Sequence, residues 1–162
     1  MRNTVEVTEE NELDLVQGLL AAADFKNDES LQKEIQIRRK GRIYFSFKIR
    51  PLSEEEYLTA RQNAVVKMAN PNNPQLPPVE KEVKVEELSA WKIYYATVNR
   101  DTVWKNPEVI RTLEKRGCPI ITVVDVINAV LMAGEKDTVD IQIDVISGYY
   151  GDRESLEDYA KN

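Results

Sequence analysis

Four acids, Glu135, Asp137, Asp140 and Asp144, form the first group whose types and spacing could do chemistry. Carboxylates gathered this closely can cage a divalent cation through their oxygens. The spacing lacks the alternating acids and central glycine of a calcium loop. On a helix, Asp137, Asp140 and Asp144 share one face, and acids near a helix start interact favourably with its dipole. The group therefore reads as a solvated acidic face, and no metal site is expected. A second group, Arg38, Arg39, Lys40 and Arg42, is the basic run of the chain. Such a run could contact phosphate. It equally suits a hairpin tip, where charge discourages edge-to-edge strand pairing, and the tip is the expectation. Cys118, the single thiol, stands in Arg-Gly-Cys-Pro without a second catalytic group and reads as a small residue at a helix exit. The chain has no histidine, which excludes Ser-His and Cys-His dyads and histidine-ligated metal. No set of nucleophile, base and metal is visible, so no catalytic residue, cofactor or enzymatic activity is expected.

The aromatic residues offer binding rather than reaction. Trp91, Tyr94 and Tyr95 fall together, and Trp and Tyr anchor interfaces. Two of the three are expected in a core, leaving Tyr94 as the candidate for an exposed partner contact. Tyr149 and Tyr150 lie between two glycines at the start of a polar tail. They either pin that tail to the body or await a partner.

The elements that must position these residues centre on residues 42–68. Ile43, Phe45, Phe47 and Ile49 alternate with Tyr44, Ser46, Lys48 and Arg50, the period of a half-buried strand. Pro51 stops it. Ser53 opens a capping box with Glu56, Leu52 and Tyr57 are placed to close a hydrophobic staple, and Tyr57, Ala60, Ala64, Val65 and Met68 continue at helical spacing. Residues 34–39 alternate through Ile35 and Ile37, and Lys40-Gly41 supplies a turn, so 34–49 reads as a β-hairpin. Before it, Leu13, Val16, Leu19, Leu20 and Ala23 give an amphipathic helix weakened by Gly18, and residues 1–11 read as loosely docked.

After the hairpin and helix, residues 69–82 hold four prolines and three asparagines and read as an exposed, mobile loop. Helical period returns from Val83, with Leu88, Trp91, Tyr95 and Val98 on one face; residues 99–105 read as a connection. Asn106-Pro107 opens a further helix with Val109, Ile110 and Leu113 inward, ended by Gly117. Residues 120–133 are the densest apolar stretch, capped by Thr122 with Asp125, and are expected as the central core helix with Gly134 as its C-cap. Thr138 then caps a helix through Ile146, with Val139, Ile143 and Ile146 inward, and residues 151–162 form a polar tail. The fold class is thus mostly α: a helical domain with one short N-terminal β-hairpin. It divides into a helix and hairpin part 12–68, a loop 69–82, a helical part 83–148 and a tail 149–162.

Composition fits that reading. A chain of 162 residues suits one domain. Its 42% apolar residues can form a core, and its 31% charged residues imply much solvated helix. A net charge of -6 argues against a nucleic-acid partner. A single thiol suits a reducing cytoplasm. No leader is recognised, and the apolar window 119–134 is too short to span a membrane.

Two segments carry a resemblance. FKIRPLSEEEY, residues 47–57, and ISGYYGDRESLEDYAKN, residues 146–162, resemble the XkdN-like tail assembly chaperones of phages and defective prophages of Gram-positive bacteria. Between them, residues 99–135 are longer and more apolar than that pattern. The resemblance implies a non-enzymatic protein of the bacterial host cytoplasm. Its partners would be the tape measure protein, which it coats while the tail tube protein polymerises, and further copies of itself. The alternative is a structural component retained in the particle, such as a head-tail adaptor or tail terminator.

Overall fold

The computed structural model describes residues 12–151. The expectations for residues 1–11 and for the tail beyond Gly151 lie outside them. The architecture is mostly helical, with two small antiparallel hairpins.

The first hairpin joins β1 (Lys33–Arg39) to β2 (Arg42–Ile49) in the register Ile35↔Phe47 and Ile37↔Phe45. Lys40 and Gly41 both take positive φ (53° and 76°), the geometry of a two-residue turn that follows strand twist. Ile35, Ile37, Phe47 and Ile49 are buried. Ile43 belongs to the same alternation yet is exposed, because the register shifts at Ile37/Arg38 and the tip runs past the core. Beyond Ile49 the edge of β2 continues to pair: the Arg50 N–H donates to the Ala96 carbonyl at 2.8 Å, and the Val98 N–H to Lys48 at 2.9 Å.

Ahead of the hairpin lies α1 (Glu12–Phe25), which runs through Gly18 without a break. A 3-10 turn (Glu29–Leu31) follows, its start capped by Asp28, which accepts from the Ser30 N–H at 2.8 Å. Every residue from 14 to 30 is exposed, so the amphipathic face of α1 meets none of the described core.

The capping box forms as expected. Glu56 donates its N–H to the Ser53 hydroxyl, and its carboxylate accepts from the Ser53 N–H, both at 3.2 Å. The helix it starts, α2 (Glu54–Ala64), is shorter than its apolar spacing suggested. Val65 and Val66 leave it to begin β3 (Val65–Met68), which pairs with β4 (Val79–Val83) in the register Val65↔Val83 and Met68↔Val79. Residues 69–82 are therefore not all loop. The irregular part is 69–78, and its prolines and asparagines close a second hairpin that the sequence reading missed.

The centre of the core is α3 (Val85–Ala96). It packs against α2 and against α6 (Val123–Val130) and α7 (Ala133–Ile146). This corrects the placement of 120–133 at the centre. Val123, Val124, Val126 and Ile127 of α6 are buried, but as one wall; Ala90, Ile93 and Ala96 of α3 are fully enclosed, and the alanines allow neighbours to approach closely. The segment 99–105 is not a plain connection either. It contains α4 (Arg100–Trp104), and Trp104 is only 2% exposed, its ring edge-on to Phe45 and Phe47 and its indole N–H donating to the Thr97 hydroxyl at 2.9 Å.

Asn106 caps α5 (Pro107–Lys115) by accepting from the N–H groups of Glu108 and Val109 at 3.0 and 3.3 Å. Its expected inward side is shallow, with Val109 exposed and Ile110 and Leu113 half-buried. Gly117 ends it at φ +87°, and the Cys118 N–H turns back to the Leu113 carbonyl at 3.0 Å, placing Cys118 at the helix exit. In α6, Asp125 accepts from the Thr122 N–H at 3.0 Å. Gly134 is not a C-cap, and Thr138 is not an N-cap. Both lie inside α7, which starts earlier because the Glu135 carboxylate accepts from the Met132 N–H at 2.8 Å. Val139 and Ile143 are buried and Ile146 half-buried, as their spacing requires.

Candidate functional site

The acidic group separates into different roles. Asp137 is exposed, but Asp140 and Asp144 turn inward, which corrects the solvated-face reading. Four residues apart on α7, they flank one cation, Lys92 of α3, at 2.7 and 2.9 Å. Lys92 is 8% exposed, and its ammonium also lies 5.3 Å from the Tyr57 ring centre. Burial opposes its charge, but the two carboxylates outweigh burial and hold its pKa above the ordinary lysine value. Tyr57 of α2 donates its hydroxyl to Asp144 at 2.7 Å; burial, with this carboxylate adding to it, pushes the phenol well up. The Lys92 contact to Asp140 Oδ1 is a charge contact without hydrogen-bond alignment. Ser147 completes the group by accepting from the Leu52 N–H at 3.0 Å. The cluster thus ties α2, α3 and α7 through groups whose charges and protons are already answered. Among the described residues no group of three or more His, Cys, Asp or Glu could hold a metal ion.

Glu135, the fourth acid, pairs with Arg39 of the basic run at 2.7 Å. Arg39 also donates to the Val130 carbonyl at 2.6 Å, so it braces β1 against the α6–α7 corner. The guanidinium groups of Arg39 and Arg42 lie 5.8 and 5.9 Å from the Tyr44 ring centre. The run does sit at a hairpin tip. A second buried lysine, Lys136, escaped the sequence reading. Its ammonium donates to the Glu86 carbonyl at 2.9 Å and to the Asn128 side chain, and burial pushes its pKa down. Both acceptors use its protons, so it fastens α7 to the start of α3 and to α6.

The aromatic candidates divide. Tyr94 is 7% exposed and is not the exposed contact its neighbours suggested. Its ring is covered by Trp91, Tyr95 and the Arg100 guanidinium, 5.4 Å from the ring centre, and its hydroxyl donates to Asp101. The turn at Asn99, in the left-handed region at φ 55°, brings α4 back over α3 and buries it. Tyr149 and Tyr150 are 64% and 50% exposed. The Tyr149 ring stands edge-on to Tyr57 at 5.1 Å, and its N–H reaches the Asp144 carbonyl at 3.1 Å. Gly148, at φ +92°, makes the corner that presents the pair. Tyr149 therefore touches Tyr57 while most of its surface stays exposed. No helix among the described residues is long and apolar enough to cross a membrane. Comparison with known protein families, characterised proteins and solved structures finds no match.

Proposed function

We propose that the chain is a non-enzymatic tail assembly chaperone of a phage or prophage, which binds the tape measure protein in the host cytoplasm while the tail tube protein polymerises. The observation that carries this reading is the Tyr149–Tyr150 pair, held exposed at the end of α7 within one of the two segments that carry the family resemblance. Exposed tyrosines give contact area at low entropic cost. A chaperone of a long helical partner needs only weak contact at each site, because many copies along one chain bind by effective concentration.

Co-expression with the tape measure protein tests the reading. The partner should become soluble with the intact chain, and much less so with Tyr149→Ala/Tyr150→Ala. A tape measure protein that stays insoluble beside the intact chain refutes it. Mass spectrometry of purified particles separates the chaperone from a retained adaptor or terminator, since the chaperone should be absent and the adaptor present at fixed copy number.

A further inference from the structure

The outer edge of β1 is unpaired among the described residues. Which groups it offers follows from β2. The Lys48 carbonyl accepts from the Val98 N–H and so faces away from β1. Glu34, the partner of Lys48, therefore turns its own N–H and C=O away from β2, and by alternation so do Gln36 and Arg38. Free groups in such a row are a template for one more extended strand. Beside them lies a groove of about 740 Å³, lined by Ile35, Ile37, Met132 and Val139 and by Arg38 and Lys40, with no residue of β2. It thus runs along the free edge, between β1 and the start of α7. Met132 is 62% exposed there. Glu135 answers Arg39, but among the described residues no carboxylate lies within ion-pair distance of Arg38 or Lys40.

Alternation, charge and reach choose the occupant. Residues 4–10, Thr-Val-Glu-Val-Thr-Glu-Glu, lie outside the described residues; their sequence is rich in β-branched residues and carries three acids and no base. A period of two puts Val5 and Val7 on one face of a strand and Glu6 and Glu10 on the other. β1 divides in the same way, with Ile35 and Ile37 buried and Gln36 and Arg38 exposed. We propose that residues 4–10 add to the free edge of their own β1 as a third strand. Val5 and Val7 then lie against the apolar lining of the groove, and Glu6 and Glu10 share the outer face with Arg38 and Lys40. The other terminal segment, 152–162, lacks this pattern: Leu156 and Tyr159 are three apart, which a strand splits between its faces. The chain is long enough to return. The 14 residues of α1 span about 21 Å and the 7 residues of β1 about 23 Å. The docking is independent of the tape measure reading: rescue of a partner tests that one, and amide exchange in the purified chain tests this one.

The test is amide hydrogen exchange of the full chain, followed residue by residue by NMR. Ile35 and Ile37 face β2 whatever lies at the edge, so their amides are the internal control. In the parent, the Gln36 and Arg38 amides should be protected as well. Val5→Lys/Val7→Lys should speed their exchange by about tenfold or more, while Ile35 and Ile37 stay slow. Arg38→Glu should also speed Gln36, and adding Glu6→Lys should slow it again. Dilution should change none of these rates, because the strand belongs to the same chain. Fast Gln36 exchange in the parent overturns the proposal, since the edge is then open. So does protection that survives Val5→Lys/Val7→Lys, which points to another occupant, or protection lost on dilution, which assigns the strand to a second copy. A Glu6→Lys addition that slows nothing overturns it too.

Discussion

Replacing Lys92 by Met keeps most of the side-chain volume and removes the one cation that Asp140 and Asp144 share. Both carboxylates lie within 2.9 Å of that nitrogen, so the variant leaves two negative charges facing each other across a gap filled by a thioether. Breaking a fully buried pair in this way costs about 3–5 kcal/mol, and an exposed one about 0–1. The cluster lies between these limits. Lys92 is almost enclosed, but the side chains of Asp140 and Asp144 keep 27% and 21% of their surface in water, and Asp144 retains the Tyr57 hydroxyl. A loss of about 2–3 kcal/mol at pH 7 follows. Urea unfolding followed by the fluorescence of Trp104, which is enclosed in the core, reads it directly. The pH dependence makes the test sharper. In the parent, the Lys92 pKa is raised on folding, so its contribution is complete below the ordinary lysine value and disappears as pH rises through the folded value. A variant within about 0.5 kcal/mol of the parent at pH 7, with an unchanged pH profile, would refute the view that the cluster holds α3 to α7.

Three further outcomes are expected. Trp104→Ala should destabilise by about 3–5 kcal/mol, since it empties a site enclosed by Phe45 and Phe47 and removes the indole N–H that the Thr97 hydroxyl accepts, whereas Trp104→Phe should cost less; thermal or urea unfolding by circular dichroism measures both. Acid should weaken the fold through Glu56 and Glu135: burial works against the Glu56 carboxylate but Arg50 and Ser53 outweigh it, and Arg39 holds the Glu135 carboxyl below its ordinary value. Their contribution is present above the ordinary glutamate value and lost as pH falls through the folded one, so urea midpoints should drop below about pH 4.5 and drop less in Glu56→Gln/Glu135→Gln. Limited digestion with a broad-specificity protease such as subtilisin should cut first within the exposed 69–78 turn, while trypsin acts more slowly at Lys67 and Lys81, which the β3–β4 ladder holds; rapid tryptic cleavage there would argue against the second hairpin.

The features that were legible in the sequence are those whose signals are local. Lys40-Gly41 between two alternating runs fixes the first hairpin, and Ser53-Glu56 and Asn106-Pro107 each fix a helix start, because every interaction involved spans four residues or fewer. The second hairpin was hidden by its own strand. Val65 and Met68 continue the apolar spacing of α2, and only pairing with Val83 and Val79, beyond a polar loop, decides for strand. The start of α7 was hidden in the same way, since Met132 is no capping residue and the cap comes from the Glu135 carboxylate reaching backward. Trp104 sits in a five-residue helix, too short for any period to show.

The buried polar groups follow a different logic, and α3 supplies it. Its sequence mixes Lys92, Tyr94 and Tyr95 with Ala90, Ile93 and Ala96, which reads as one half-buried stripe when only spacing is considered. The structure buries it on several sides, and each polar group then needs a partner from another element. Lys92 takes Asp140 and Asp144 from α7, Tyr94 takes Asp101 from α4, and the Ala96 carbonyl takes the Arg50 N–H at the end of β2. The inward acids of α7 are therefore explained by a lysine on a different helix, which no spacing within α7 could reveal. The same condition distinguishes Tyr94 from Tyr149. Tyr94 is 7% exposed, with Trp91, Tyr95 and Arg100 around its ring and its hydroxyl bound, so its surface is already used within the fold. Tyr149 touches Tyr57 yet is 64% exposed, so most of its surface is not used within the described residues.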